Sequence, residues 1–162
     1  MTSGRRSRMA TITIPGIACC LLFAGLAPGA PRRDGQSGRP DPSLERKLSM
    51  AESQHEIVML LLRKKEFAQA AMEADKIFQM DWPLAEEPRL LKDMLAFTAE
   101  FQKHSQPALG LQLLEKNFRV FKSPKSQAAL FKEMGYLNKK LGNDDKALEC
   151  FRKAQQLEKT TP

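Results

Sequence analysis

Acid–base, nucleophilic and metal chemistry all need His, Cys, Asp or Glu side chains at matched spacings. The 162-residue chain holds two histidines, His55 and His104, and three cysteines, Cys19, Cys20 and Cys150. The histidines fall in different predicted helix pairs, and neither has a cysteine nucleophile or a glycine-rich phosphate loop beside it. No Cys/His spacing matches a zinc site. Cys150 precedes Phe151 at a helical position suited to a small, half-buried residue, which favours packing over thiol reactivity. No two carboxylates form an evident acid–base pair. The pattern predicts no catalytic residue, no metal, no cofactor and no small-molecule substrate. The remaining chemistry is recognition of a partner.

Charge narrows the partner. The formal net charge is +7. Residues 1–42 carry six Arg against two Asp, so more than half of the excess lies outside the predicted folded part. Nucleic-acid binding is therefore not expected. The folded part is itself uneven: residues 43–115 count nine basic and twelve acidic side chains, and residues 116–162 eleven basic and five acidic. Its C-terminal third is the electropositive end.

The N-terminus reads as an address. Arg5, Arg6 and Arg8 precede an uncharged run from Met9 to Pro31 whose centre, Ile17–Leu26, is strongly apolar, and small residues follow at Ala24, Gly25, Ala27, Gly29 and Ala30. This is the pattern of a secretory signal peptide over residues 1–30. A retained membrane anchor is the alternative, weakened by Pro15 and Pro28, since a span needs about 20 apolar residues. A lipoprotein site at Cys19 lacks a Leu three residues before it. Residues 31–42, rich in Pro, Gly and Arg and without periodicity, read as a flexible linker. Membrane association is expected only if the N-terminal segment is retained or lipidated.

From residue 43 to 160 the apolar periodicity is helical, and no stretch alternates as a strand does. Asp41 and Pro42 start a first helix that runs to about Lys64; a second covers about Glu66–Met80 and stops at Trp82–Pro83. A third runs from near Pro88 to near Lys103, and a fourth, with Ser105 as N-cap, over Gln106–Phe121. Ser123 and Pro124 open a fifth helix that ends at Gly142, and Asn143 caps a sixth. Short turns make successive helices antiparallel neighbours.

Residues 128–159 resemble the tetratricopeptide repeat, a helix-turn-helix unit of about 34 residues. Phe131, Met134 and Gly135 stand where the family has a large, an aliphatic and a small residue in the first helix. Gly142 stands in the turn, and Ala147, Phe151 and Ala154 supply the small–bulky–small series of the second helix. The family's closing Pro is replaced by Lys159. The small residues Gly135 and Ala147 would let the helices approach, and Phe151 would fill the space between repeats. Upstream, Ala70 stands where Ala147 does, and in the middle copy either Ala108 or Gly110 is the small residue, with Leu95–Ala96 as the aliphatic–small pair. The resemblance implies an all-α fold, a short right-handed α-solenoid of three helix-turn-helix hairpins over residues 43–160. The alternative is a six-helix domain with one repeat-like pair.

In this family stacked hairpins leave a concave groove lined by the first helix of each pair, which holds an extended peptide or a partner helix. Carried over by register, the groove residues are Glu52, His55, Met59, Leu62 and Arg63; then Asp93, Phe97, Glu100 and Phe101; then Lys132, Tyr136, Lys139 and Lys140. An acidic or C-terminal-carboxylate peptide suits the lysines. The alternatives are that the lysines are a solvated face and the two Phe core. Chaperone-binding members clamp a carboxylate with a fixed Lys/Asn/Arg set; only Lys132 coincides, so that partner is not expected. The implied function is a non-catalytic protein–protein interaction adaptor or scaffold of a bacterial cell envelope, exported to the periplasm or another extracytoplasmic space, or membrane-anchored. A cytosolic chaperone of a secretion system is the second reading, which the N-terminal signal disfavours.

Overall fold

A computed structural model describes residues 41–160 of the chain. The signal or anchor segment and most of the linker lie outside the described residues. Six α-helices follow one another: α1 (Pro42–Arg63), α2 (Phe67–Phe78), α3 (Glu87–Lys103), α4 (Pro107–Asn117), α5 (Pro124–Lys140) and α6 (Asp144–Thr160). Short 3-10 turns cover Leu84–Glu86 and Phe118–Val120. No strand occurs among the described residues.

The helices begin and end where local chemistry dictates. Asp41 caps α1, accepting from the Ser43 N–H at 2.9 Å with Pro42 in the first turn. Ser123 caps α5, its Oγ accepting from the Ser126 N–H at 3.1 Å. The Trp82 indole N–H donates to the Ile77 carbonyl at 2.6 Å and closes the end of α2. The helix expected to reach Phe121 ends in α-form at Asn117 and tightens into the 3-10 turn before Phe121 enters the core.

The turns after α1, α3 and α5 share one geometry. Lys65, Ser105 and Gly142 adopt left-handed backbone, with φ of 64°, 59° and 75°. In each turn the next residue's N–H reaches back to a carbonyl five residues earlier: Glu66 to Leu61 at 2.9 Å, Gln106 to Phe101 at 2.8 Å and Asn143 to Asn138 at 2.9 Å. This is the Schellman arrangement, which satisfies the orphan carbonyls at a helix end. Ser105 is therefore the left-handed residue that ends α3, not the N-cap of α4. Its hydroxyl makes no capping bond, and Gln106 occupies the cap position.

Five residues beyond each left-handed residue lies a small, buried one: Ala70, Gly110 and Ala147. The choice left open in α4 thus falls on Gly110; Ala108 is exposed. A methyl on Gly110 would sit 3.5 Å from Phe101 Cβ and 3.6 Å from Thr98 Cα, so α4 crosses α3 closely there. Seven residues before each left-handed residue stand Val58, Thr98 and Gly135, all buried. Counted back from its own turn, α3 has Phe97–Thr98 where α5 has Met134–Gly135, two residues beyond the expected Leu95–Ala96.

Consecutive helices pack as α1 on α2, α3 on α4 and α5 on α6, with α2 touching α4 and α5 touching both α3 and α4. Phe78, Phe97, Phe101 and Phe121 are fully buried at the centre. Each contributes about 2–3 kcal/mol relative to exposure. The Phe78 ring meets Phe97 edge-on at 6.3 Å and Phe121 at 6.4 Å.

Candidate functional site

The lysine–tyrosine cluster predicted on α5 sits at a cleft. Gln102 of α3 faces Glu133, Tyr136, Lys139 and Lys140 of α5 across a volume of about 460 Å³. Gln102 Nε2 donates to Glu133 Oε1 at 2.6 Å and ties the two helices together. Tyr136 is 55% exposed and is positioned from behind. Gly135 lacks a side chain, so the Phe151 ring of α6 lies directly over it, and Tyr136 stands edge-on to that ring at 5.2 Å. The four packing residues Gly135, Ala147, Phe151 and Ala154 thus meet in the α5–α6 interface: Ala147 and Ala154 are buried and Phe151 is half-buried.

Three of the four α5 residues line this cleft. The fourth, Lys132, is held by Glu158 of α6 in an exposed ion pair. Among the described residues no ion-pair partner is found for Lys139 or Lys140.

Phe97 and Phe101 do not line a groove. Both are 0% exposed and belong to the core. The turn geometry gives the reason. Left-handed residues fall forty and then thirty-seven residues apart, so taking Ala108 as the small residue of α4, 38 residues after Ala70 and 39 before Ala147, places the α3 register two residues too early. Counted from its own turn, α3 matches Lys132, Tyr136, Lys139 and Lys140 with Leu95, Ala99, Gln102 and Lys103. Leu62 is also core, 1% exposed, although counted from its own turn it stands where Lys139 does.

A second cleft, of about 480 Å³, opens between α1 and α3. Glu52, His55 and Glu56 face Arg89 and Asp93 there. His55 Nδ1 lies 3.9 Å from Asp93 Oδ1, and its ring lies tilted against the buried Phe97 ring at 4.9 Å. Arg89 stands 3.8 Å from Glu52 and 6.0 Å from the Trp82 ring. Burial pushes the Asp93 carboxyl above its ordinary value, against the opposing pull of His55, Arg89 and Lys92. Sequence reasoning placed Glu52, His55 and Asp93 in the groove but not Arg89.

His104 is half-buried, 5.4 Å from the Phe67 ring and 3.9 Å from Glu100. The two histidines thus sit on different helix pairs, as expected. Burial pushes the Cys150 thiol up; Lys153 opposes this, and Glu149 and Glu115 add to it. The thiolate is disfavoured at neutral pH. No group of three or more His, Cys, Asp or Glu side chains able to hold a metal occurs among the described residues.

Two polar networks went unnoticed in the sequence. Asp75 of α2 accepts from Asn117 Nδ2 at 2.8 Å and Lys116 Nζ at 2.7 Å, binding α2 to α4. The buried Glu87 carboxylate accepts from the backbone N–H groups of Lys122 at 2.9 Å and Ser123 at 3.0 Å, fixing the turn before α5. Partners 35 to 42 residues apart leave no periodic trace.

No protein-family model and no curated protein matches the chain. Among the described residues no helix is long and apolar enough to cross a membrane.

Proposed function

We propose that the helical domain is a non-catalytic protein-binding adaptor. In this reading the six helices form a short right-handed solenoid of three tetratricopeptide-like hairpins, and the face of α1, α3 and α5 receives an extended peptide or helix of a partner protein. The observation that carries the reading is the turn repeated at Lys65, Ser105 and Gly142, with a small buried residue five positions on each time. A repeated unit that buries one face against its neighbours leaves the other lined by first helices. The two clefts on α1, α3 and α5 belong to that face. Tyr136, Lys139 and Lys140 are the principal contacts, and they favour an acidic segment of the partner. The N-terminal pattern makes this an exported envelope protein, tethered if the segment is retained.

Site-specific photocrosslinking in the native host tests this. A crosslinker at Tyr136 should capture a defined partner, and one at Met72, exposed on α2, should not. Capture at Met72 alone would move the binding face to the α2–α4 side and refute the groove. Intact mass after cell fractionation tests compartment. Loss of roughly the first 24–30 residues in a soluble extracytoplasmic fraction supports export. A full-length mass in the cytosol overturns export and favours the secretion-chaperone reading.

A further inference from the structure

Resting on that binding face, we infer that it recognises a charge-segregated partner segment, one with a basic cluster and an acidic cluster about six residues apart. The two clefts have opposite character. The α1/α3 cleft holds three carboxylates, Glu52, Glu56 and Asp93, against Arg89 and His55. Neither Arg89 nor His55 engages them tightly: Arg89 is 3.8 Å from Glu52, His55 is 3.9 Å from Asp93, and Asp93 lies in the cleft wall at 21% side-chain exposure. The α3/α5 cleft holds Lys139 and Lys140 against one carboxylate, Glu133, already engaged by Gln102. The same polarity runs through the chain, since residues 43–115 are net acidic and residues 116–162 net basic. One uniform charge on a partner would be attracted at one cleft and repelled at the other; a segregated segment is attracted at both.

Spacing follows from helix geometry. Along α3 the clefts centre near Arg89–Asp93 and near Gln102, about 16 Å apart at about 1.5 Å per residue. Moving from one inter-helix groove to the next adds a sideways step of about 10 Å. The diagonal is about 19 Å, which an extended chain covers in about six residues. The path crosses the exposed Ala96 and Ala99 of α3, whose short side chains leave room for a backbone.

Fluorescence anisotropy with synthetic peptides tests this on the protein purified as it occurs in its host. One labelled peptide carries two arginines and two glutamates separated by a six-residue Ser/Ala/Leu spacer. Controls carry glutamates at both ends, arginines at both ends, or the segregated charges on a two-residue spacer. The six-residue segregated peptide should bind about tenfold tighter than each control at low salt, with the advantage falling as salt rises. Glu52→Lys with Glu56→Lys, and separately Lys139→Glu with Lys140→Glu, should each remove that advantage. All four side chains are exposed, so circular dichroism should be unchanged. If the all-acidic peptide binds as tightly as the segregated one, and only the α5 variant weakens it, charge segregation is refuted while the groove stands. If no peptide binds, both the inference and the groove reading fall.

Discussion

Two glycines inside helices should respond in opposite directions to the same substitution. Gly→Ala in a helix interior gains about 1 kcal/mol of intrinsic propensity. At Gly110 the added methyl would meet its nearest neighbours at 3.5–3.6 Å, ordinary contact, so Gly110→Ala should stabilise. The expected gain is about 0.5–1 kcal/mol. At Gly135 the methyl would lie 2.6, 2.7 and 2.9 Å from three atoms of the Phe151 ring. No carbon pair tolerates that, so either the ring leaves its place beside Tyr136 or α5 and α6 separate. Overpacking of this kind costs about 1–3 kcal/mol, so after the propensity gain Gly135→Ala should lose up to about 2 kcal/mol. For a domain of this length the melting temperature should fall by up to about 8 °C. Urea unfolding followed by circular dichroism at 222 nm measures both variants. Phe151→Leu in the Gly135→Ala background should recover part of the loss, because the clashing ring is gone. The reasoning is refuted if Gly135→Ala is as stable as Gly110→Ala, since α5 and α6 would then not be in the contact described.

Three further outcomes follow from the geometry. Lys65→Gly and Ser105→Gly should each stabilise by about 0.5–1 kcal/mol, and Gly142→Ala should destabilise by about 1 kcal/mol, because left-handed backbone strains a side chain and not glycine. Denaturation midpoints read all three; a loss for Lys65→Gly would contradict the turn geometry. Burial pushes the Glu87 carboxyl up, but hydrogen bonds from Ser123, Ser126 and the Lys122 and Ser123 N–H groups outweigh it, so its native value lies below the ordinary 4.5. That stability is fully present above the ordinary value and is lost as pH falls through the native one; Glu87→Gln should cost about 1–3 kcal/mol at neutral pH and flatten the acid limb of a stability–pH curve. Cys150 should react with a disulfide reagent at pH 8 about tenfold slower than free cysteine and catch up in urea, because burial disfavours its thiolate. Equal rates without denaturant would contradict the partial burial of the thiol.

Local rules made much of this fold legible in advance. Period-3.6 patterning specified six helices, and the capping chemistry of Asp41, Ser123 and Gly142 located three of their ends, because a cap involves only its own few residues. The α5–α6 pair was legible for the same reason: Gly135, Ala147, Phe151 and Ala154 lie within one short helix-turn-helix. Ser105 was misread because serine is a good N-cap, while its left-handed backbone is imposed by the end of α3.

What the linear pattern left undecided was register across longer connections. Leu95–Ala96 and Phe97–Thr98 each offer a bulky residue followed by a smaller one in α3, and that two-residue shift exchanges the exposed Ala96 for the buried Thr98. Only the crossing of α4 over α3 at Gly110, and the convergence of Phe78, Phe97 and Phe121, choose between them. The same holds for the clefts. The sequence named Lys139, Lys140 and Tyr136, but their counterpart Gln102 and the acidic cleft exist because α3 lies beside both α1 and α5. Helix formation is decided by neighbours within a turn or two, whereas the clefts between helices are set by which helices touch. That depends on packing volumes such as the absent side chain at Gly135, summed over the whole core.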